Sequence, residues 1–286
     1  MDLTFTCSDG RVLAGQVFGV PEGVEKRGTV VIASATAVRA AYYHRYAAFL
    51  SENGFAAVSF DYRGIGGSRG GPLRGQRVRW FEWGSLDIDA VLAWALQQGD
   101  GLPVHLVGHS FGGYGVGLAE HAAGLGRILT VGAQHAYWRD LRPGNQLAHW
   151  GRALLTLPLV GVFGYFPAKR LGLMEDLPAG VALDWARSRK DFTTAAAGSL
   201  RTALRAHQAA VTAPILALAP TDDSYATIPA MERAVAYTPN SPSRVVHLSP
   251  EGYGEASLGH FALFHSRYRE SFWPQTLAWL RDGTWP

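Results

Sequence analysis

The pentapeptide Gly108-His109-Ser110-Phe111-Gly112 is the segment of this chain best equipped for covalent chemistry. A serine at the tip of a sharp strand-to-helix turn adopts a strained backbone that tolerates almost no side chain two residues away on either side. Gly108 and Gly112 supply that room. The backbone N–H of Phe111, opening the helix, then points to where an oxyanion would form, and the helix dipole favours negative charge there. With 34 glycines among 286 residues, the spacing alone is a weak signal. What gives it weight is context: Pro103-Val104-His105-Leu106-Val107-Gly108 reads as a buried strand just before it, and Gly113-Tyr114-Gly115 begins a helix just after it.

A nucleophilic serine needs a base, and the base needs an orienting carboxylate. Both follow, in the order serine, acid, histidine. The run Ile215 to Ala219 leads through Pro220-Thr221 into Asp222-Asp223, placing a carboxylate at the C-terminal end of a strand, where sites of open α/β sheets gather. His260 lies in Leu258-Gly259-His260-Phe261, a glycine-containing loop between the last strand and the last helix, and is the expected base. Of the ten histidines, His105 and His109 read as packing residues. His265, the competitor of His260, has no glycine beside it and reads as part of the following helix.

The turn Asp61-Tyr62-Arg63-Gly64-Ile65-Gly66-Gly67-Ser68 is rich in glycine but fits neither the dinucleotide nor the Walker spacing, so nucleotide binding is not expected. No H-E-x-x-H and no spaced Cys/His cluster occurs, so neither a metal nor another cofactor is expected.

These loops require strands to carry them. Short β-branched or small apolar runs occur at 27–33, 55–60, 103–108, 213–219 and 243–248, and helical spacing of apolar residues at 40–52, 83–98 and 272–280. Strands alternating with helices imply a mostly parallel sheet covered on both faces. Between Gln134 and His207 no buried β-run is found and Trp, Pro and Gly are frequent, which divides the chain into a core in two parts, 1–133 and 208–286, with an inserted helical cap or lid, 134–207. Its apolar stretch Ala153 to Phe166 is interrupted by Pro158, Gly161 and Gly164 and falls short of the roughly 20 residues of a membrane span, so it reads as a buried or lid helix.

Composition bounds the partners. At 48% hydrophobic and 17% charged, the chain is globular rather than disordered, and 26 basic against 23 acidic residues, a net +3 without a clustered stripe, gives no footprint for nucleic acid. The single cysteine, Cys7, allows no intrachain disulfide, and no secretory pattern opens the sequence, so a cytoplasmic location is expected.

Taken together, Gly108 to Gly112, Asp61 to Ser68, the Asp222-Asp223 turn and Gly259-His260-Phe261 resemble the α/β-hydrolase superfamily over nearly the whole chain. Ala35-Thr36-Ala37-Val38, Tyr42-Tyr43 and Gly164-Tyr165-Phe166-Pro167 look like a bacterial group of predicted hydrolases of unestablished substrate. The resemblance implies an α/β-hydrolase fold and a serine hydrolase with Ser110 as nucleophile, His260 as proton shuttle and Asp223 as the orienting acid, with Asp222 a turn former; Asp222 as the acid is the alternative. It implies oxyanion donors at the backbone N–H of Phe111 and of Thr36, the latter because the donor follows a His-Gly pair whose place Ser34-Ala35 takes here. The expected substrate is a small ester, thioester or amide, largely apolar because the inserted segment 134–207 supplies far more apolar side chains than a surface crossover requires. The alternatives are an acyltransferase using the same acyl-enzyme and a non-catalytic ligand-binding protein. The apolar residues of the insertion would also suit a homo-oligomer interface.

Overall fold

The computed structural model describes residues 1–98 and 100–286. A hairpin of β1 (Asp2–Thr6) and β2 (Val12–Phe18) is followed by β3 (Gly28–Ala33), α1 (His44–Glu52) and β4 (Phe55–Phe60), then by α2 (Asp89–Gln97) behind a π-helical stretch at Trp83–Ile88. Next come β5 (Val104–His109), the short α3 (Phe111–Gly115) and β6 (Arg127–Val131). The chain then leaves the sheet for α4 (Pro143–Phe163), the two-residue strands β7 (Tyr165–Phe166) and β8 (Leu177–Pro178), α5 (Ala179–Ala186) and α6 (Gly198–Ala210). It returns through β9 (Ile215–Pro220), α7 (Ile228–Val235), β10 (Ser243–Leu248) and α8 (Phe272–Asp282).

The eight long strands form one sheet in the order β1-β2-β4-β3-β5-β6-β9-β10. From β4 to β10 every pairing is parallel; only the β1–β2 and β2–β4 pairings are antiparallel. The middle strands β3, β5 and β9 are buried at every position, which is why they read as unbroken apolar runs rather than alternating ones. Their side chains divide by the period of two. Val31, Leu106 and Ile128 enter the core on one face, where Phe111 and α2 pack, while Val30, Val107 and Leu129 enter the core on the other, where α1 and α8 pack. This places the turns after β3, β5, β9 and β10 at one edge of the sheet, the C-terminal ends of parallel strands.

Five of the eight strands coincide with the apolar runs of the sequence, and the mostly parallel sheet with helices is the expected class. The β1–β2 hairpin and β6 carry no comparable signal; β6 is five residues long and opens on a half-buried arginine. Two expectations are corrected. Of the two readings of 153–166, a buried or a lid helix, the buried one is corrected: the helical part of the stretch ends a 21-residue α4 in which only His149 and Thr156 are buried, while Leu147, Leu154 and Val162 are 79%, 70% and 67% exposed. The apolar residues of 153–166 therefore serve the core only in part: Leu159 and Val160 pack against it and Phe166 is buried in it, while Leu154, Leu155, Leu157 and Val162 are exposed. His265 lies outside the last helix, extended between two short 3₁₀ turns, and α8 begins only at Phe272. Among the described residues no helix is long and apolar enough to cross a membrane.

Candidate active site

The turn from β5 to α3 is over-determined. Ser110 stands at φ 53°, ψ −118°, a conformation that costs a non-glycine residue roughly 1–3 kcal/mol and persists only when its surroundings impose it. They do so from three sides: Ser110 N–H donates to Val131 O at 2.8 Å, and Gly113 and Tyr114 N–H return to Ser110 O at 3.1 and 3.3 Å. A Cβ on Gly108 would lie 2.3 Å from Gly113 Cα, and one on Gly112 2.1 Å from Ala33 O. Both positions exclude any side chain.

At the end of β9, two adjacent aspartates take different tasks. Asp223 is buried, its Oδ2 2.6 Å from His260 Nδ1 and its Oδ1 accepting from Tyr225 N–H (2.8 Å) and Ala226 N–H (3.1 Å). Burial alone would raise its pKa, but the His260 ring and the two amides outweigh it and hold the carboxyl below its ordinary value. The carboxylate is thus anionic, and it fixes the proton of His260 on Nδ1, leaving Nε2 to accept. Asp222 sits in the turn as expected, closed by Asp223 N–H donating to Pro220 O at 3.0 Å, and also grips the loop that carries the histidine: it accepts from Ser257 Oγ (2.6 Å), Leu258 N–H (2.9 Å) and Gly259 N–H (3.0 Å). One aspartate holds the ring and its neighbour holds the backbone beneath it.

Ser110 and His260 line one cavity of about 60 Å³, together with Thr36, Trp80, Met174, Trp185, Tyr225 and Phe261. No hydrogen bond joins Ser110 Oγ to the ring, though both face the same cavity. Phe111 N–H and Thr36 N–H donate to no acceptor among the described residues, whereas Ala35 N–H is engaged by Tyr43 Oη at 3.0 Å. The loop with Thr36 is held by the glycine-rich turn: Tyr62 Oη donates to Ser34 O at 3.1 Å, and Asp61 Oδ1 accepts from Ala40 N–H at 2.8 Å. Within that motif Gly64 N–H donates to Ser68 O at 3.0 Å and Gly67 N–H to Asp61 Oδ2 at 2.8 Å, so its glycines shape a protein turn.

The segment between β6 and β9 also reaches the cavity. Met174 and Trp185 form part of its wall, the Arg152 guanidinium lies 5.0 Å from the centre of the Trp185 ring and donates to Tyr225 Oη at 3.2 Å, and Asn145 Nδ2 donates to Ser224 O at 3.0 Å. Trp80, Met174, Trp185 and Tyr225 have no sequence signal that would single them out, because each comes from a different part of the chain and none is periodic with the others.

A family model described as serine aminopeptidase, S33, matches residues 24–157. No curated protein matches the chain. Among solved structures, a soluble variant of monoglyceride lipase from Saccharomyces cerevisiae with a substrate analogue is 14% identical, covers 100% of this chain and 96% of its own, and has a TM-score of 0.67. A monoacylglycerol lipase of Paleococcus ferrophilus is 14% identical over 95% of this chain and 99% of that one, with a TM-score of 0.58. A thermophilic esterase from Thermogutta terrifontis is 17% identical over 98% of each, with a TM-score of 0.57. At such identities the likeness speaks for the fold. Sheet order, the strained serine between strand and helix, and these matches agree on the fold: the chain has the α/β-hydrolase fold, and its residues 24–157 are similar to the serine aminopeptidase family.

Proposed function

We propose that the protein is a serine hydrolase that cleaves a small, largely apolar carboxylic ester, or a related thioester or amide, through an acyl-enzyme. The observation that carries this reading is the Asp223–His260 pair facing the cavity that holds Ser110 in its strained turn. Ser110 Oγ attacks the carbonyl carbon as His260 Nε2 takes its proton, and Asp223 stabilises the imidazolium. The oxyanion is received by the N–H groups of Phe111 and Thr36; the engagement of Ala35 N–H by Tyr43 supports Thr36 as the second donor. The tetrahedral adduct collapses as His260 returns the proton to the leaving alcohol, and water then repeats the sequence on the acyl-enzyme.

The walls favour an ester over a peptide. An aminopeptidase must hold an α-ammonium group, and no carboxylate side chain lines the cavity; Trp80, Trp185, Tyr225, Phe261 and Met174 offer apolar and aromatic contact instead. Residues 134–207 act in this reading as a cap that closes over the acyl or alcohol group through Met174 and Trp185.

Incubation with a fluorophosphonate followed by intact-mass and peptide mapping tests the proposal. One adduct on Ser110, absent in Ser110→Ala, is expected; a folded protein that stays unmodified refutes it and leaves a ligand-binding role. An acyl-ester series from acetate to octanoate tests the cap, since each buried methylene contributes about 0.8 kcal/mol at most until the pocket is full. A flat kcat/KM profile counts against it.

A further inference from the structure

Tyr42-Tyr43 and His109 take no part in the reaction just described, yet they connect its pieces. Tyr43 and His109 are both buried, in a pocket of aromatic rings where Phe264 lies 5.0 Å from the Tyr43 ring and 5.2 Å from the His109 ring. Ala35 N lies 3.0 Å from Tyr43 Oη, Tyr43 Oη 2.7 Å from His109 Nδ1, and His109 Nε2 2.9 Å from the carbonyl oxygen of His260.

The two ends of this row determine every proton in it. A carbonyl oxygen only accepts, so His109 Nε2 carries a hydrogen. Burial, and then the nearby His260 ring, push the His109 imidazole down to about 3, so the ring is neutral and Nδ1 offers a lone pair. The Tyr43 hydroxyl therefore donates to Nδ1 and accepts from Ala35 N–H, which can only donate. Each donor and acceptor is used, in one direction: Ala35 to Tyr43 to His109 to His260.

The row spans the three loops that the proposed reaction needs. Ala35 precedes Thr36, the second oxyanion donor; His109 precedes Ser110; and the carbonyl at the far end belongs to the base itself. Tyr42 adds a parallel tie, its hydroxyl donating to Phe261 O at 2.6 Å. We propose that Tyr43 and His109 are positioning residues that set the Thr36 oxyanion donor and the His260 base at a fixed separation on either side of Ser110. This role rests on the hydrolase reading above. Neither residue touches substrate: Tyr43 acts through the Ala35–Thr36 backbone and His109 through the backbone of His260.

The experiment uses the full chain as wild type, Tyr43→Phe, His109→Phe, the double variant and His109→Gln, whose amide can accept from Tyr43 and donate to the His260 carbonyl. Fluorophosphonate labelling of the wild type decides the hydrolase reading by itself. Nitrogen-15 NMR of the histidine rings decides the tie without turnover: His109 is expected as the neutral Nε2–H tautomer between pH 5 and 8. Tyr43→Phe is then expected to lower kcat by roughly tenfold to a hundredfold with KM changed less than about threefold, because the tie acts on the transition state rather than on ground-state binding. The double variant should lose no more than the worse single one, since both cut the same row. His109→Gln should recover most of what His109→Phe loses, whether or not Tyr43→Phe folds well enough to assay.

Wild-type kcat in Tyr43→Phe, additive losses in the double variant, no recovery in His109→Gln, or an Nδ1–H tautomer at His109 would each overturn the positioning role. A wild type that the probe leaves unlabelled overturns the hydrolase reading and with it any catalytic use of the tie, while the tautomer still reports whether the tie exists.

Discussion

A methyl group added at Gly112 would lie 2.1 Å from a backbone oxygen, whereas the same atom added at Gly144, Gly151 or Gly161 meets nothing within 4 Å. The first glycine belongs to the turn between β5 and α3 and the other three to α4, and the two regions are built on opposite terms. Around Ser110 the close backbone approaches leave one conformation, and a strained one. Along α4 the outward face carries Leu147, Leu154, Leu155, Leu157 and Val162 to solvent, and Trp150, half exposed, meets the Trp138 ring edge-on at 5.5 Å. Strain is affordable where everything else is fixed, so the turn can hold Ser110 as it does; the helix is joined to the site through such contacts as Arg152 with Trp185 and Tyr225 and Asn145 with Ser224.

If the contrast is right, changes at the turn should be severe in activity and changes on α4 small. The largest effect is expected for Ser110→Ala. Members of a serine triad act as a unit, so its removal should lower kcat by about 10⁶. More than a few per cent of wild-type esterase activity in a pure, folded sample would end the assignment.

The paired aspartates sharpen the comparison within the site. Asp223→Asn keeps the shape but leaves His260 free to take the wrong tautomer, and a loss of about 10⁴ in kcat is expected. Asp222→Asn removes a charge that holds backbone N–H groups of the His260 loop, so a loss of about tenfold is expected, with faster hydrogen exchange at Leu258 and Gly259. Steady-state kinetics of the two variants side by side would reverse the roles if Asp222→Asn proved the more damaging.

The strands and the candidate loops were legible in sequence for a physical reason: a strand buried on both faces is apolar along most of its length, as β3, β5 and β9 are, and a serine in a strained turn must have glycines two residues away. Both constraints are local. What stayed hidden depends on partners far along the chain. His109 reads as packing until Tyr43, 66 residues before it, and His260, 151 residues after it, are brought to its two nitrogens. Asp222 reads as a turn residue, which it is, but its second task exists only once the loop 35 residues on folds onto it. The exposure of α4 was hidden too, because an apolar helix facing solvent and one facing a core have the same composition.

Thr36 tests the backbone part of the site. Thr36→Pro deletes the N–H and should cost roughly 10²-fold in kcat, while Thr36→Ala keeps it and should cost little. Equal, small effects would exclude Thr36 as the donor and, with Ala35 N–H already engaged, move it to Ala37.

The packing around the turn also has a pH signature. Burial pushes His105 down to about 4, His109 to about 3 and His135 to about 4, so all three are neutral when folded. Unfolded, they titrate near 6.5. Below that pH the unfolded chain binds protons the folded one refuses, so stability falls as pH drops, each histidine contributing about 1.4 kcal/mol per unit until its folded pKa is reached. Asp87, which burial raises to about 6 despite Arg63, works in the opposite sense between its unfolded value near 4 and 6. Three against one leaves a net loss on acidification. Urea midpoints at pH 7, 6 and 5 should decline, and His105→Phe, which replaces a ring whose Nδ1 has no partner, should make the decline shallower. Midpoints that are flat with pH would mean that the folded state admits these protons.

The smallest effect is expected on α4 itself. Gly151 sits inside the helix with open space where a Cβ would go, so Gly151→Ala removes the backbone entropy penalty of glycine without creating a clash and should stabilise the helix by about 0.5–1 kcal/mol. That gain need not appear in the global unfolding midpoint, because a helix with two buried residues can open on its own while the sheet stays intact. Hydrogen exchange of the α4 amides is the direct measurement: protection should rise about two- to fivefold in Gly151→Ala, with kcat for a short acyl ester unchanged. The matching change at Gly112→Ala should instead abolish activity or folding. A Gly151→Ala variant that lost activity would show that the outer face of α4 is under a constraint the present packing does not contain, and the contrast between the two regions would fail at its weaker end.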